Sequence, residues 1–209
     1  MTIDKYIEIE MEQYSNSRKS NPFFSRKSWG YRRNMAMEDV FSIEELLKEL
    51  AVTVSCGGNL LMNVGPNKDG VIVPIFEERL RQTGQWLGTN GEAIYSSQPW
   101  SHQNDSVNPD VWYTSKVLQE EGQVVYGILL SWPKDGELSV GSPVPNTQTK
   151  VTLLGYEGGP LDFKIDPKGN SGMTINLPNL SNSDLRWAWV LKFVHLENGG
   201  NTISGANPF

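Results

Sequence analysis

The sequence predicts an α/β unit followed by an all-β unit that forms an antiparallel β-sandwich. In residues 28–92, two amphipathic helices flank a short apolar run, which is the element order of a parallel-sheet α/β domain. In residues 93–198, short segments rich in Val, Ile, Tyr and Trp alternate with turn sequences, which is typical of a β-sandwich. Residues 1–27 and 199–209 carry neither pattern, and we expect both to have little order.

The first helix is the clearest local prediction. Ser42 followed by Glu45 is a capping box, in which each residue accepts a hydrogen bond from the other's backbone N–H. Behind it, six apolar residues recur at helical spacing: Ile43, Leu46, Leu47, Leu50, Ala51 and Val54. This pattern predicts a helix that runs to about Ser55 and is ended by Gly57-Gly58.

Glycine and proline residues mark the boundaries of the other predicted elements of the α/β unit. Asn59–Val64 is a short apolar run between GG and GP, which predicts a buried strand. Gly65–Gly70 is rich in turn residues. Pro74 is suited to the first turn of a second helix, and Asn90-Gly91 to its end.

The all-β unit is predicted to contain seven strands. They are approximately Trp112–Ser115, Gln123–Trp132, Glu137–Val140, Lys150–Tyr156, Leu161–Ile165, Met173–Leu177 and Arg186–Val194. The last strand alternates between two faces. One face has Trp187, Trp189, Leu191, Phe193 and His195, and the other has Ala188, Val190 and Val194. Since both faces are apolar, we expect a central strand.

Composition excludes several classes of function. The 209 residues include 24 acidic and 18 basic side chains, a net charge of −6, which argues against nucleic-acid binding. No window approaches the roughly 18 apolar residues of a membrane span, and the N-terminus has no signal-peptide pattern. The single cysteine, Cys56, excludes an internal disulfide and is predicted to be a small buried residue. Because His102 and His195 are far apart, we predict no metal site and no cofactor.

Three pairs of adjacent carboxylates are the candidates for hydrolysis of a sugar bond, which requires two carboxyl groups. They are Glu38/Asp39, Glu44/Glu45 and Glu77/Glu78. The last two pairs are better explained as first-turn charges of the helices, and Asp69 as part of a turn. No catalytic residue is assigned.

Two further patterns suggest contact with carbohydrate. Ser28–Arg33 (SWGYRR) places aromatic and cationic residues around a glycine, a combination that suits packing or contact with a sugar. Asn104 and Asn179 begin N-x-S sequons, which predict glycosylation in a secretory protein.

These residues carry a resemblance to a known family. SWGYRR, SIEELLKELAVTVSCGGNLLMNVGPNKDG, FEERLRQTGQWLGTNGEAIYSSQPW and DVWYTSK resemble the C-terminal portion of animal tissue- and plasma-type α-L-fucosidases, glycoside hydrolase family 29. MTIDK at the start is similar to the segment that directly precedes SWGY in that family. The resemblance implies that residues 28–92 are the end of a (β/α)8-like catalytic barrel and that residues 93–198 are the C-terminal β-sandwich. It also implies retaining hydrolysis of α-linked L-fucose from glycans, in the lysosome or after secretion.

This sequence differs from the family in ways that limit which site residues can be assigned to it. In the family, the aspartate nucleophile and the acid/base carboxylate lie upstream of the MTIDK-like segment, and no residue here matches the nucleophile motif. Trp29 and Tyr31 match the aromatic segment near bound fucose and are the substrate-binding candidates, whereas Asn59 and Asn63 are interpreted as structural. Tyr6–Lys27 is an insert relative to the family.

The resemblance therefore leaves three hypotheses. The chain is inactive alone and works with a complementing chain or as a homo-oligomer, with fucosylated glycans as substrates. Alternatively, it is a non-catalytic module that binds glycans or a protein through exposed aromatics among Trp100, Trp112, Tyr113 and Trp132. The third hypothesis is a truncated isoform without an independent role.

Overall fold

The computed structural model describes residues 31–165 and 172–200. The predictions for residues 1–30, 166–171 and 201–209 lie outside the described residues. The helices are α1 (Ile43–Ser55) and α2 (Pro74–Asn90), with 3₁₀ turns at Met37–Asp39 and Gly91–Ala93. The strands are β1 (Gln98–Asn104), β2 (Val111–Leu118), β3 (Gly122–Leu129), β4 (Glu137–Val140), β5 (Lys150–Leu153), β6 (Phe163–Ile165), β7 (Met173–Asn176) and β8 (Trp189–Val194).

The strands form two antiparallel sheets. The larger sheet has the order β1-β2-β3-β8-β5, and the smaller has the order β4-β7-β6. Pairing of Val125 with Phe193 fixes the register of β3 on β8, and pairing of Val151 with Phe193 fixes that of β5. The last strand is thus an interior strand of the larger sheet, as its apolar residues predicted.

The larger sheet is the middle of three layers, because successive side chains of a strand point to opposite faces. One face packs on α1 and α2 and forms the helix-side core. Its members include Val124, Tyr126, Ile128, Val190, Val194, Leu47, Leu50, Val54, Trp86 and Leu87. The other face packs on the smaller sheet and forms the inter-sheet core. Its members include Tyr113, Val125, Leu129, Leu191, Phe193, Leu138, Val140 and Ile175. The β-sandwich prediction is confirmed.

The predictions for the two helices are confirmed. Ser42 Oγ accepts a hydrogen bond from the Glu45 N–H (3.2 Å), and Glu45 Oε2 accepts one from the Ser42 N–H (2.8 Å). All six predicted apolar residues of α1 are buried. Gly57 ends the helix with a φ of +74°, and α2 begins at Pro74.

Two predictions for the segment after α1 are wrong. Asn59–Val64 forms isolated bridges at Leu60, Leu61 and Asn63 but no strand. An apolar run becomes a strand only where a neighbouring strand supplies a continuous ladder, and the described residues supply only these bridges. Cys56 is exposed rather than buried, because it follows the last helical residue where the chain turns away from the core.

The predicted strands are all present, with ends that differ by three residues or fewer. The sequence failed to predict β1, a polar strand at the edge of the larger sheet. The predicted face of β8 is also wrong at both ends. Trp187 packs on the helix-side core, opposite to Trp189, and His195 is exposed. The reason is that both residues have left-handed φ values (72° and 58°), which break the alternation of the strand.

Candidate functional site

The SWGYRR segment enters the described residues at Tyr31, while Trp29 lies outside them. Tyr31 is partly buried against a third cluster, which consists of the buried residues Val40, Leu46 and Phe76. Leu46 belongs to α1 and Phe76 to α2, so this packing places the Tyr31 ring relative to both helices. The aromatic candidate is held by the fold rather than by a free loop.

Arg32 adds a polar group beside Tyr31. Its Nε is buried and has no hydrogen-bond partner within residues 31–165 and 172–200. A guanidinium keeps its charge and carries five N–H donors, and a buried donor without an acceptor is costly. The Tyr31–Arg32 pair therefore combines an aromatic ring with a guanidinium whose buried Nε is unsatisfied.

The third cluster is only partly covered. Its packing partners are all partly buried: Tyr31, Met35, Phe41, Met62, Val64, Ile72, Val73, Ile75 and Leu80. These residues come from the segment before α1, from the bridge segment, from the loop that precedes α2 and from the first half of α2. Tyr31 and Arg32 thus lie next to an apolar surface that the described residues leave partly open.

Several of the candidate carboxylates form hydrogen bonds or ion pairs with residues close to them in the sequence. Glu45 belongs to the capping box, and Asp39 Oδ2 accepts from the Ala36 N–H at 3.2 Å. Glu77 pairs with Arg81 at 2.6 Å one helical turn later, and Glu78 accepts from Gln82 at 3.0 Å. The contacts of Glu45, Glu77 and Glu78 support the interpretation of these carboxylates as helix charges, because they include bonds to the cap or to the next turn of the same helix.

The loop after the bridge segment has turn chemistry. Asp69 is exposed and forms an ion pair with Lys68 at 2.7 Å. Asn67 Oδ1 accepts from the N–H groups of Asp69 and Val71, which is an Asx-type turn. Neither arrangement brings Asp69 together with another candidate carboxylate.

The four aromatics of the binding-module hypothesis differ in exposure. Trp100 and Tyr113 are fully buried in the inter-sheet core, with ring centroids 5.1 Å apart. Trp112 is partly buried on the helix-side core, and Trp132 packs against Trp189 with a centroid distance of 5.0 Å. Trp100 and Tyr113 therefore cannot serve the binding-module hypothesis, which requires exposed aromatics, because both side chains face the other sheet.

The two sequon asparagines have different environments. Asn104 is half-buried in β1, and its Nδ2 donates to the backbone oxygens of Pro109 (3.0 Å) and Val111 (2.9 Å). Asn179 is exposed, and its Oδ1 accepts from the Ser181 N–H at 2.9 Å. Of these two asparagines, Asn104 uses its side-chain nitrogen in hydrogen bonds within the described residues, whereas Asn179 does not.

The sequence did not indicate the role of Asp105, a buried carboxylate after β1. Its Oδ1 accepts from the N–H groups of Val107 (2.9 Å) and Asn108 (2.8 Å). Its Oδ2 accepts from the Ser142 N–H (2.9 Å) and the Tyr113 hydroxyl (2.8 Å). Burial raises the pKa of Asp105. The backbone hydrogen bonds lower it by a larger amount, so the net pKa is below its usual value. A carboxylate held in this way joins two loops of the sandwich.

A second polar network joins the helices to the larger sheet. Glu92 Oε1 accepts from the Tyr126 hydroxyl (2.7 Å) and pairs with Lys192 Nζ (2.9 Å). Burial raises the pKa of the Glu92 carboxyl, but the hydrogen bonds and the positive charge of Lys192 outweigh burial and lower it. Burial and the Glu92 contact raise the pKa of Tyr126. A lowered pKa does not suit a general acid, and the hydrogen bonds of Glu92 and Asp105 to other parts of the fold indicate structural roles.

In the described part of the chain, no group of three or more His, Cys, Asp and Glu side chains is arranged to hold a metal ion. None of the described helices is long and apolar enough to cross a membrane.

Comparison with known families assigns both halves of the chain. The profile described as alpha-L-fucosidase matches residues 4–92, and the profile described as alpha-L-fucosidase C-terminal domain matches residues 103–194. Together the two matches cover most of the chain, and their order is the order of the two units described above.

Individual relatives agree with these matches. The chain is 51% identical to the plasma alpha-L-fucosidase of Rattus norvegicus over 172 residues, which are 81% of this chain and 36% of the relative. It is 49% identical to the tissue alpha-L-fucosidase of Homo sapiens over 79% of this chain and 34% of the relative. The chain thus spans about a third of the length of these relatives.

A solved structure shows the same fold. The alpha-fucosidase of Thermotoga maritima, in complex with a mechanism-based inhibitor, superposes with a TM-score of 0.69 at 28% identity. The superposition covers 83% of this chain and 39% of that protein. By both family profiles and by its animal relatives, the chain belongs to the α-L-fucosidase family, glycoside hydrolase family 29, and corresponds to a C-terminal portion of its members.

Proposed function

We propose that this chain is the C-terminal part of an α-L-fucosidase that removes α-linked L-fucose from glycans, and that it supports the catalytic barrel without supplying the two catalytic carboxylates. The observation that carries the proposal is the identity of about half over four-fifths of the chain to animal enzymes of this name. The contacts of Glu77 and Glu78 are consistent with a supporting role, because each pairs with a residue one turn later in the same helix.

Residues 28–92 would be the end of a (β/α)8-like barrel, and residues 93–198 the sandwich that packs beneath it. Two observations favour this division. The third cluster is partly open on the side of Tyr31, Phe41 and Ile75, as expected of a helix layer that packs on further barrel strands. Asn59–Val64 has the composition of a barrel strand, and neighbouring strands would turn its isolated bridges into ladders.

Trp29 and Tyr31 would form part of the wall of the fucose pocket, with Arg32 as a hydrogen-bond donor. The partly buried Tyr31 ring gives a rigid apolar surface of the kind that stacks on sugar C–H groups. The unsatisfied Nε of Arg32 gives that surface a directional polar contact. This wall would bind substrate, and the catalytic groups would come from another part of the enzyme or from a complementing chain.

The relatives named plasma and tissue α-L-fucosidases suggest a secreted or lysosomal enzyme with fucosylated glycoproteins or glycolipids as substrates. Glycosylation at Asn179 would fit this route, since its side chain is exposed.

The absence of catalytic groups is tested with the purified 209-residue chain and an aryl α-L-fucoside. We expect no turnover above buffer, while the rat plasma α-L-fucosidase at the same concentration serves as the positive control. Turnover by the pure chain that is abolished by substitution of one of its own carboxylates would overturn the proposal.

The pocket wall is tested in a chimera in which this chain replaces the matching C-terminal third of the rat enzyme. We expect Tyr31→Ala and Arg32→Ala to raise KM for the fucoside. The matched control is Arg81→Ala, which removes an exposed helix-surface arginine. Unchanged KM in both pocket variants would remove Tyr31 and Arg32 from the pocket while leaving the family assignment intact.

A further inference from the structure

A polar cleft of about 310 Å³ lies where α2 meets the sandwich. Three segments form it: the C-terminal half of α2, the turn after β5 and the loop that precedes β8. Its volume is at the low end of ligand pockets, about 300–1,000 Å³, and gives room for one small ligand. None of the carboxylate pairs considered for catalysis, and neither Tyr31 nor Arg32, lines this cleft.

The walls of the cleft are fixed by the fold. Trp86 Nε1 donates to the backbone oxygen of Ala188 at 2.8 Å, which ties α2 to the start of β8. Gly155 allows the close approach of the turn, since a Cβ atom there would lie 2.5 Å from Thr89 Cγ2. Trp187 has a φ of 72°, an unfavourable conformation for a residue with a side chain, so surrounding contacts must hold it in place. The cleft is therefore preformed, which lowers the entropic cost of binding.

Asn90 supplies the strongest indication that the cleft takes a polar ligand. The residue is 4% exposed, and its Nδ2 donates to the Trp86 backbone oxygen at 3.2 Å. Its Oδ1 has no hydrogen-bond partner among the residues that the structure describes. Buried polar atoms are nearly always hydrogen-bonded in native proteins, so an unsatisfied amide at a cleft wall requires an explanation. The oxygen is itself buried, so a ligand hydroxyl would reach it only after the amide rotates toward the cleft.

The charges at the mouth of the cleft select against ions. The Arg186 guanidinium pairs with Asp184 at 2.9 Å and lies over the Trp187 ring at 5.6 Å from its centroid. The two charges compensate each other, so neither an anion nor a cation meets a net opposite charge. Gln85 and Thr89 add exposed groups that both donate and accept hydrogen bonds.

We propose that this cleft binds one neutral sugar residue of a glycan. A sugar ring presents hydroxyls that donate and accept, which match the amides and the Arg186–Asp184 pair. An apolar ligand would leave the amide of Asn90 unsatisfied, and a phosphate would meet the carboxylate of Asp184. The proposal depends only on this cleft and holds whether or not the chain acts within a fucosidase.

The experiment is an NMR titration of the isotope-labelled full chain with the methyl glycosides of L-fucose, D-galactose and N-acetyl-D-glucosamine. We expect at least one of them to shift the indole N–H signals of Trp86 and Trp187 and the side-chain amide signal of Asn90 in a saturable way. Gln85→Ala and Arg186→Ala should each weaken the apparent affinity, the arginine variant about tenfold, as for a lost charge-assisted hydrogen bond.

The matched control is Lys164→Ala, which removes another exposed cation that forms a surface ion pair with Glu137. This variant should bind like the wild-type chain. Gln85 is an exposed helix residue, so its variant keeps the test valid if Arg186→Ala disturbs the loop. The proposal is overturned if none of the three glycosides gives saturable shifts, if sulfate alone shifts the same signals, or if both cleft variants bind normally. Hydrolysis is not measured, so failure here leaves the proposed function untouched.

Discussion

Asp105 is the polar residue on which we expect the sandwich to depend most, and Asp105→Asn is the substitution that tests this. The carboxylate joins the loop after β1 to the backbone at Gly141 and Ser142, 36 and 37 residues away. The substitution keeps the size and removes the charge and one acceptor oxygen. It therefore isolates the hydrogen bonds from the packing.

The expected loss can be worked out from the donors that face Oδ2. The N–H groups of Gly141 and Ser142 and the Tyr113 hydroxyl all donate to that oxygen, and the Gly141 N–H also donates to Oδ1. An amide nitrogen in its place would deprive the Ser142 N–H and the Tyr113 hydroxyl of this acceptor, and each buried donor left without an acceptor costs about 1–3 kcal/mol. We expect the free energy of unfolding to fall by about 2–6 kcal/mol. With the amide flipped, the N–H groups of Val107 and Asn108 would lose their acceptor instead.

The assay is urea unfolding of the full chain followed by tryptophan fluorescence, with Asp135→Asn as the matched control. Asp135 is exposed and accepts one long hydrogen bond, from the Glu137 N–H at 3.3 Å, so its loss should stay within about 0.5 kcal/mol. An Asp105→Asn variant as stable as the control would refute the hydrogen-bond account.

Comparison of the wild-type chain with Asp105→Asn also tests the pKa of Asp105. Because this pKa is lower in the folded chain than its usual 3.8, the unfolded chain binds more protons at acid pH. The stabilisation is complete above the unfolded value and is lost as the pH falls through the folded one. We expect wild-type stability to fall more steeply than that of Asp105→Asn below about pH 4. Parallel pH profiles would contradict a lowered pKa.

Two further predictions concern single side chains. Ser42→Ala removes the cap of α1 and should lower the free energy of unfolding by about 1 kcal/mol. The control, Ser131→Ala at an exposed position, should leave the free energy of unfolding unchanged. Equal stability of the two variants would mean that packing alone sets the start of the helix. On expression through a secretory pathway, we expect Asn179→Gln to lower the mass by one glycan and Asn104→Gln to leave it unchanged, because the Asn104 nitrogen is hydrogen-bonded to the backbone of β2. Mass spectrometry after glycan release checks this, and a glycan on Asn104 would contradict it.

Features with local signals could be predicted from the sequence. The start of α1 was predictable because Ser42 and Glu45 are three residues apart and the apolar spacing behind them is regular. The sandwich strands were predictable for the same reason, since burial of β3 and β8 on both faces makes their whole length apolar.

Features that depend on distant partners could not be predicted. β1 is polar and forms a strand only because β2 pairs with it. Asn59–Val64 shows the reverse, since its composition is that of a strand but its neighbours supply only isolated bridges. Local patterns cannot show which residues will be close in space.

The candidate sites divide in the same way. Tyr31 was identified from its neighbours in SWGYRR, but the cluster that holds it comes from α1 and α2. Asp105, Asn90 and Arg186 had no signal in the sequence, because their partners or their shared cleft come from separate segments. Trp187 was assigned to the wrong face, since no local rule predicted its left-handed backbone.

We propose above that this chain can act as the C-terminal third of a working α-L-fucosidase. The rate of aryl α-L-fucoside hydrolysis by the chimera that joins the N-terminal part of the rat plasma enzyme to this chain tests this proposal. We expect measurable hydrolysis by the chimera and none by either part alone. A chimera that folds as judged by its unfolding transition but hydrolyses no fucoside would contradict the proposal.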